Sequence, residues 1–141
     1  MIKPNRKPKI VLVYPSSKDS VQTLYAFNKD QKIGFKPPQS ILILATYLRS
    51  KGFDDVHCLD AQVECLSPEE TALAIKKLDP DIVGITAWTD FWFPVYETLR
   101  LVKEKLPNAS LVVGGPHASI YPEETLQASN ADYVVVGDGE E

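Results

Sequence analysis

A chain of 141 residues suits one domain and buries roughly 68–70% of its unfolded surface, enough for one hydrophobic core. Its composition, 44% hydrophobic and 24% charged, is that of an ordinary globular protein. The net charge of -4, without a dense lysine/arginine patch, argues against nucleic acid as the main partner.

No apolar run reaches the roughly 20 residues that span a bilayer. Residues 1–8 form a basic tail (Lys3, Arg6, Lys7, with Lys9 just beyond) without the apolar stretch of a signal peptide, so a cytoplasmic location is expected. Cys58 and Cys65 are too few for a disulfide scaffold and fit no standard zinc spacing, and reduced thiols are expected.

Two kinds of apolar segment alternate from residue 9 onward. "KIVLVY" (9–14) is the first strand, followed by a connection running to Pro38. Links inside α/β units usually take about 2–6 residues, so segment 15–38, with Tyr25, Phe27 and Phe35, is read as a functional flap, the alternative being a surface insertion whose aromatics pack on the sheet. "PPQSILILATYLRSKG" then carries Ile41, Leu44, Ala45 and Leu48 at helical spacing, with Gly52 as its stop. "VHCLD" (56–60) is a more polar strand, suited to a sheet edge. "SPEETALAIKKL" opens with Ser67 as N-cap and Glu70 completing a capping box.

"DIVGIT" (81–86) is the third strand. It runs into "AWTDFWFP", whose aromatic and hydroxyl residues suit either the wall of a large flat ligand or a plug against a neighbouring element. "PVYETLRLVKEKLP" has Val95, Leu99, Val102 and Leu106 on one stripe. "SLVVG" (110–114) is the fourth strand, "YPEETLQAS" a short helix, and "DYVVV" (132–136) the fifth strand. Near-continuous apolar strands alternating with helices predict an α/β fold: a five-stranded parallel sheet of flavodoxin-like, Rossmann-like order 2-1-3-4-5 with helices on both faces.

In such a sheet ligands lie beyond the carboxyl ends of the strands. There the fourth strand ends on Gly114-Gly115-Pro116-His117, and the fifth on Gly137-Asp138-Gly139. Glycine lets a bulky group approach the main chain, so both exits are candidate ligand sites. Familiar tenants of this fold are poorly served. The loop after the first strand lacks a dinucleotide glycine fingerprint, and no triphosphate loop exists. There is no Gly-x-Ser-x-Gly elbow, and neither His57 nor His117 has an evident nucleophile beside it. The residues suggest a holder of a ligand, with no catalytic residue and no metal site of its own. A flavin or nucleotide carrier and a cofactor-free interaction domain remain open alternatives.

The segments "KPPQSILILATYLRSKGF", "LDPDIVGITAWT", "LVVGGPHASIYPEETL" and "ADYVVVGDGEE" together resemble the N-terminal cobalamin-binding domain of B12-dependent radical SAM enzymes. The resemblance implies a domain over 9–141 that holds cobalamin, its nucleotide tail running beside Thr86, Gly114, Gly115 and Gly137. Ala87, Trp88, Thr89, Pro116, His117, Asp138 and Gly139 complete the implied site, His117 either contacting the tail or remaining structural. Two positions depart from the family pattern: Ser40 where glycine is usual, and Asp138 where glutamate is common.

Other B12 proteins donate a cobalt-binding histidine from the loop after the first strand. Here that loop has none, so the cobalamin is expected base-off and without a histidine ligand. The resemblance also implies a parent enzyme with a C-terminal radical SAM domain carrying a 4Fe-4S cluster and S-adenosylmethionine, for methyl transfer or ring formation. The Cys-x-x-x-Cys-x-x-Cys motif of that cluster is not in these residues and is expected beyond Glu141.

Overall fold

The computed structural model describes residues 6–18 and 36–140. The proposed flap aromatics Tyr25, Phe27 and Phe35, and the tail residue Lys3, lie outside them. Among the described residues ten strands and helices follow one another, apart from a 3-10 turn at Thr89–Phe91: β1 (Ile10–Tyr14), α1 (Gln39–Ser50), β2 (Val56–Asp60), α2 (Pro68–Leu78), β3 (Ile82–Thr86), α3 (Trp92–Lys105), β4 (Ser110–Gly114), α4 (Pro116–Ile120), α5 (Pro122–Ala128) and β5 (Tyr133–Val134).

All neighbouring strands pair in parallel, in the order β2-β1-β3-β4-β5. The alternation of apolar strands and amphipathic helices allows this order, and the more polar β2 takes an edge as its composition predicts.

The two faces of the sheet are covered unequally. Val11, Val13, Val83, Ile85, Leu111 and Val113 point to the side where α2 and α3 pack, building the main core with Ile75, Leu99 and Val102. The other side carries α1, whose Ile41 and Ala45 meet Ile10, Leu12 and Val56 in a smaller cluster. This second layer covers the β2–β1 half of the sheet. Strand residues of opposite parity therefore face either a thick core or, over β3 and β4, open space.

Local signals set several boundaries. The Ser67 hydroxyl accepts from Glu70 N–H while the Glu70 carboxylate accepts from Ser67 N–H, a complete capping box at the start of α2. Ser67→Ala is expected to cost about 1 kcal/mol, measured as a lower urea midpoint at unchanged slope.

At the N-terminal end of the sheet, Arg6 pairs with Asp81 at 2.8 Å, and Lys9 Nζ donates to Leu78 O at 2.9 Å. Lys7 reaches Gly52 O. These contacts tie Arg6, Lys7 and Lys9 to loops at the sheet's lower edge.

Three elements differ from expectation. The third helix begins two residues early, at Trp92, after the 3-10 turn. The segment after Gly115, for which the sequence predicts no element, is the short helix α4, because Pro116 takes its first position. β5 is shorter than 132–136. Val135 N–H still reaches Val113 O at 2.8 Å, but Gly137 turns away with φ +83° and donates to Ser119 Oγ at 3.1 Å.

Candidate functional site: a cavity at the tips of the central strands

A cavity of about 500 Å³ opens at the carboxyl ends of β3 and β4 and runs down the α1 side of the sheet. Its inner wall is Leu12, Gly84, Ile85 and Val112. The α1 wall is Ser40, Ile41, Ile43 and Leu44, and Val135 through Glu140 close the third side, with Val136 outside the lining. Its volume lies in the range of small-molecule sites, roughly 300–1,000 Å³.

Thr86, Trp88, Gly114, Gly115, Pro116, Gly137, Asp138 and Gly139, all expected at the site, line this space. Trp88 stands 47% exposed at its rim. Ala87, Thr89 and His117 do not line it. Ala87 is fully buried, its N–H donating to Gly114 O and its C=O accepting from His117 N–H. Thr89 opens the 3-10 turn, its hydroxyl within 3.2 Å of His117 Nδ1.

His117 itself is 8% exposed and stacks on Trp92 at 4.4 Å between ring centroids, with Tyr121 tilted against its other side at 5.4 Å. Burial pushes its imidazole below the ordinary value, which favours the neutral ring in the fold. His117, expected either to contact the tail or to remain structural, forms a brace between the β3 and β4 exits. His57, the other histidine, sits near the start of β2 and bonds Asp55 at 2.8 Å, away from the strand tips.

The glycines differ in physical role. Gly115 has φ +93°, and a Cβ there would stand 2.6 Å from Thr86 Oγ1 and 2.9 Å from both N and O of Ala87. It is glycine because two loops cross there, a requirement independent of any ligand. A Cβ on Gly114 would make only ordinary contact, 3.8 Å from Val135 Cβ, and one on Gly137 would meet nothing within 4 Å. Ser119 links the two exits, its hydroxyl donating to Gly115 O and accepting from Gly137 N–H, each at 3.1 Å.

Sequence reading missed Gly84, which the cavity places on its floor. An isolated glycine inside a strand pattern was the available signal. The residue that the family pattern varies, Ser40, is in the α1 wall, so that substitution faces the cavity.

In the described start of the loop after β1, Ser17 N–H and hydroxyl engage the Gln62 side chain, and Ser16 Oγ accepts from Lys18 N–H. Among the described residues no group of three or more His, Cys, Asp or Glu is placed to hold a metal ion. Cys58 and Cys65 are free thiols. No described helix is long and apolar enough to cross a membrane.

An α/β sheet with a largely apolar crevice beyond its parallel strand tips is the architecture of a cofactor-holding domain. The chain belongs to the B12 binding domain family, whose model matches residues 34–141. It is 35% identical over 133 residues to an uncharacterized methyltransferase of Pyrococcus horikoshii, covering 94% of this chain and 27% of that protein. It is 34% identical over 134 residues to the anaerobic magnesium-protoporphyrin IX monomethyl ester cyclase of Cereibacter sphaeroides, covering 94% of this chain and 21% of that one. The cyclase of the same name from Rubrivivax gelatinosus is 38% identical over 106 residues, 74% of this chain and 19% of that protein. The chain thus spans about a quarter or less of these relatives' length.

Proposed function

We propose that this chain is the cobalamin-holding module of a B12-dependent radical SAM enzyme, and that it takes cobalamin base-off with no histidine on cobalt. The observation that carries the reading is the cavity: an apolar trench of about 500 Å³ beginning at bare glycine backbone and descending beside the sheet. Thr86, Ser119 and the main chain at Gly114 and Gly137 would meet the polar part of a nucleotide tail, while Trp88 and Pro116 would border the corrin. The trench fits such a group because no Cβ at Gly84, Gly114 or Gly137 fills it.

The absence of a histidine ligand is supported by the same geometry. The sequence has only two histidines, His117 is locked between Trp92 and Tyr121, and His57 is near the start of an edge strand. Bound cobalamin supplies organocobalt chemistry, and the chain's contribution is position and exclusion of competing ligands. Methyl transfer or ring closure, the 4Fe-4S cluster and S-adenosylmethionine belong in this proposal to the rest of a longer parent. The names of the methyltransferase and cyclase relatives support that assignment.

Titration with hydroxocobalamin tests the reading. The visible spectrum is expected to move to its base-off form on addition of protein, and to be the same with His117→Ala. A base-on spectrum at saturating protein, or retention of flavin in place of corrinoid, would overturn it.

A further inference from the structure

The cavity wall that leaves β5 differs from the others, because it is built from neither sheet nor helix. Val135 N–H is still bonded to Val113 O, but from Gly137 the chain crosses from the sheet edge to α1, bordering the cavity as it goes. Gly139 lies against α1, where a Cβ on it would stand 3.5 Å from Leu44 Cδ1. Glu140 lies in an open groove on the outer side of that helix, beside Thr46, Tyr47 and Ser50. Residues 136–140 are thus a strap across one flank of the cavity.

The strap is lightly fastened. No atom comes within 4 Å of where a Cβ on Gly137 would stand, so packing does not fix its turn. The turn is held by Gly137 N–H donating to the Ser119 hydroxyl, which itself donates to Gly115 O, each at 3.1 Å. Gly137, Asp138 and Gly139 are exposed. Exposed backbone with few apolar contacts is where local opening costs least.

We propose that this strap opens to admit the corrinoid and closes along its flank, with Ser119 as the latch; the proposal rests on the cobalamin reading above. The latch and the Leu44 contact are made within the chain, so they bias opening whether or not ligand is present. Weakening them raises the open fraction in both states, and entry accelerates together with release. A side chain that only touches the ligand alters release and leaves entry alone.

The test mixes the 141-residue chain with hydroxocobalamin in a stopped-flow instrument and reads entry as quenching of tryptophan fluorescence. Rapid dilution of the complex gives release. Ser119→Ala, which leaves Gly137 N–H to water, is expected to speed entry about three- to tenfold and release by at least as much. Gly139→Ala adds a methyl group that meets Leu44 only when the strap is closed, and should slow both rates about threefold. Its dissociation constant should stay within about twofold of the parent value, because one factor acts on both rates.

Faster release with unchanged entry in Ser119→Ala would make Ser119 a ligand contact and overturn the proposal. Unchanged rates in Gly139→Ala would overturn it as well, and that variant decides the matter if Ser119→Ala fails to fold. In both cases the corrinoid still binds, and the cofactor reading stands. Failure of the unaltered chain to bind hydroxocobalamin would remove the reading and the strap's role together.

Discussion

Gly115→Ala is expected to lower the thermal midpoint by on the order of 10 °C, a loss of about 3 kcal/mol. Two effects add. A non-glycine residue at φ +93° is strained, and its Cβ would enter the space of Thr86 Oγ1 and the Ala87 main chain. The main-chain atoms cannot turn aside as a long side chain would, because Ala87 N–H and C=O are already bonded to Gly114 and His117. The neighbouring glycines provide the contrast. Gly114→Ala should be close to neutral, and Gly137→Ala should cost about 1 kcal/mol, from its φ of +83° alone. Differential scanning calorimetry of the three variants checks the order, and a Gly115→Ala midpoint equal to that of the parent would refute the loop crossing. Any test of ligand binding by substitution at Gly115 therefore measures the loop first.

Removal of the aromatic brace should have the next largest effect. Trp92→Ala is expected to cost about 2–3 kcal/mol, the lower part of the range for deleting a large aromatic because Trp92 is only partly buried. It should also change the pH dependence of stability. In the folded chain burial holds His117 below its ordinary value of 6.5, so between the two values the unfolded chain binds the extra proton. Stability from this group is thus at its plateau above pH 6.5 and falls as pH drops through that window. With Trp92 removed, His117 regains water and the fall should be shallower. Urea midpoints at about pH 7.5 and about pH 5.5 in both proteins measure it, and parallel declines would show that the titration belongs elsewhere.

These two expectations bear on the site because the brace and the crossing hold its rim. Thr86 and Trp88 flank Ala87, which is bonded on one side to the β4 exit and on the other to His117. His117, for which the motif allows either a contact or a structural role, is held inside this framework. A motif shows that a polar residue follows two glycines, but the direction of its ring depends on Trp92 and Tyr121, which belong to other elements.

What the sequence determined by itself is the architecture and the position of the candidate cavity at the strand tips. Apolar strands with β-branched residues, capping signals such as Ser67–Glu70 and stops such as Gly52 are local, and local physics fixes them before any long-range contact forms. The parallel order followed from the alternation, and the strand-tip glycines followed from the lack of a side chain. The tertiary structure alone decided the depth of the trench. Gly84 becomes a floor only when Leu12 and Val112 come into register beside it and α1 stands opposite, and no local pattern encodes that coincidence. It also decided which glycine the chain's own packing keeps bare and which has open space beside it, because that depends on the nearest atom across space, as Ala87 shows at Gly115 and open volume shows at Gly137.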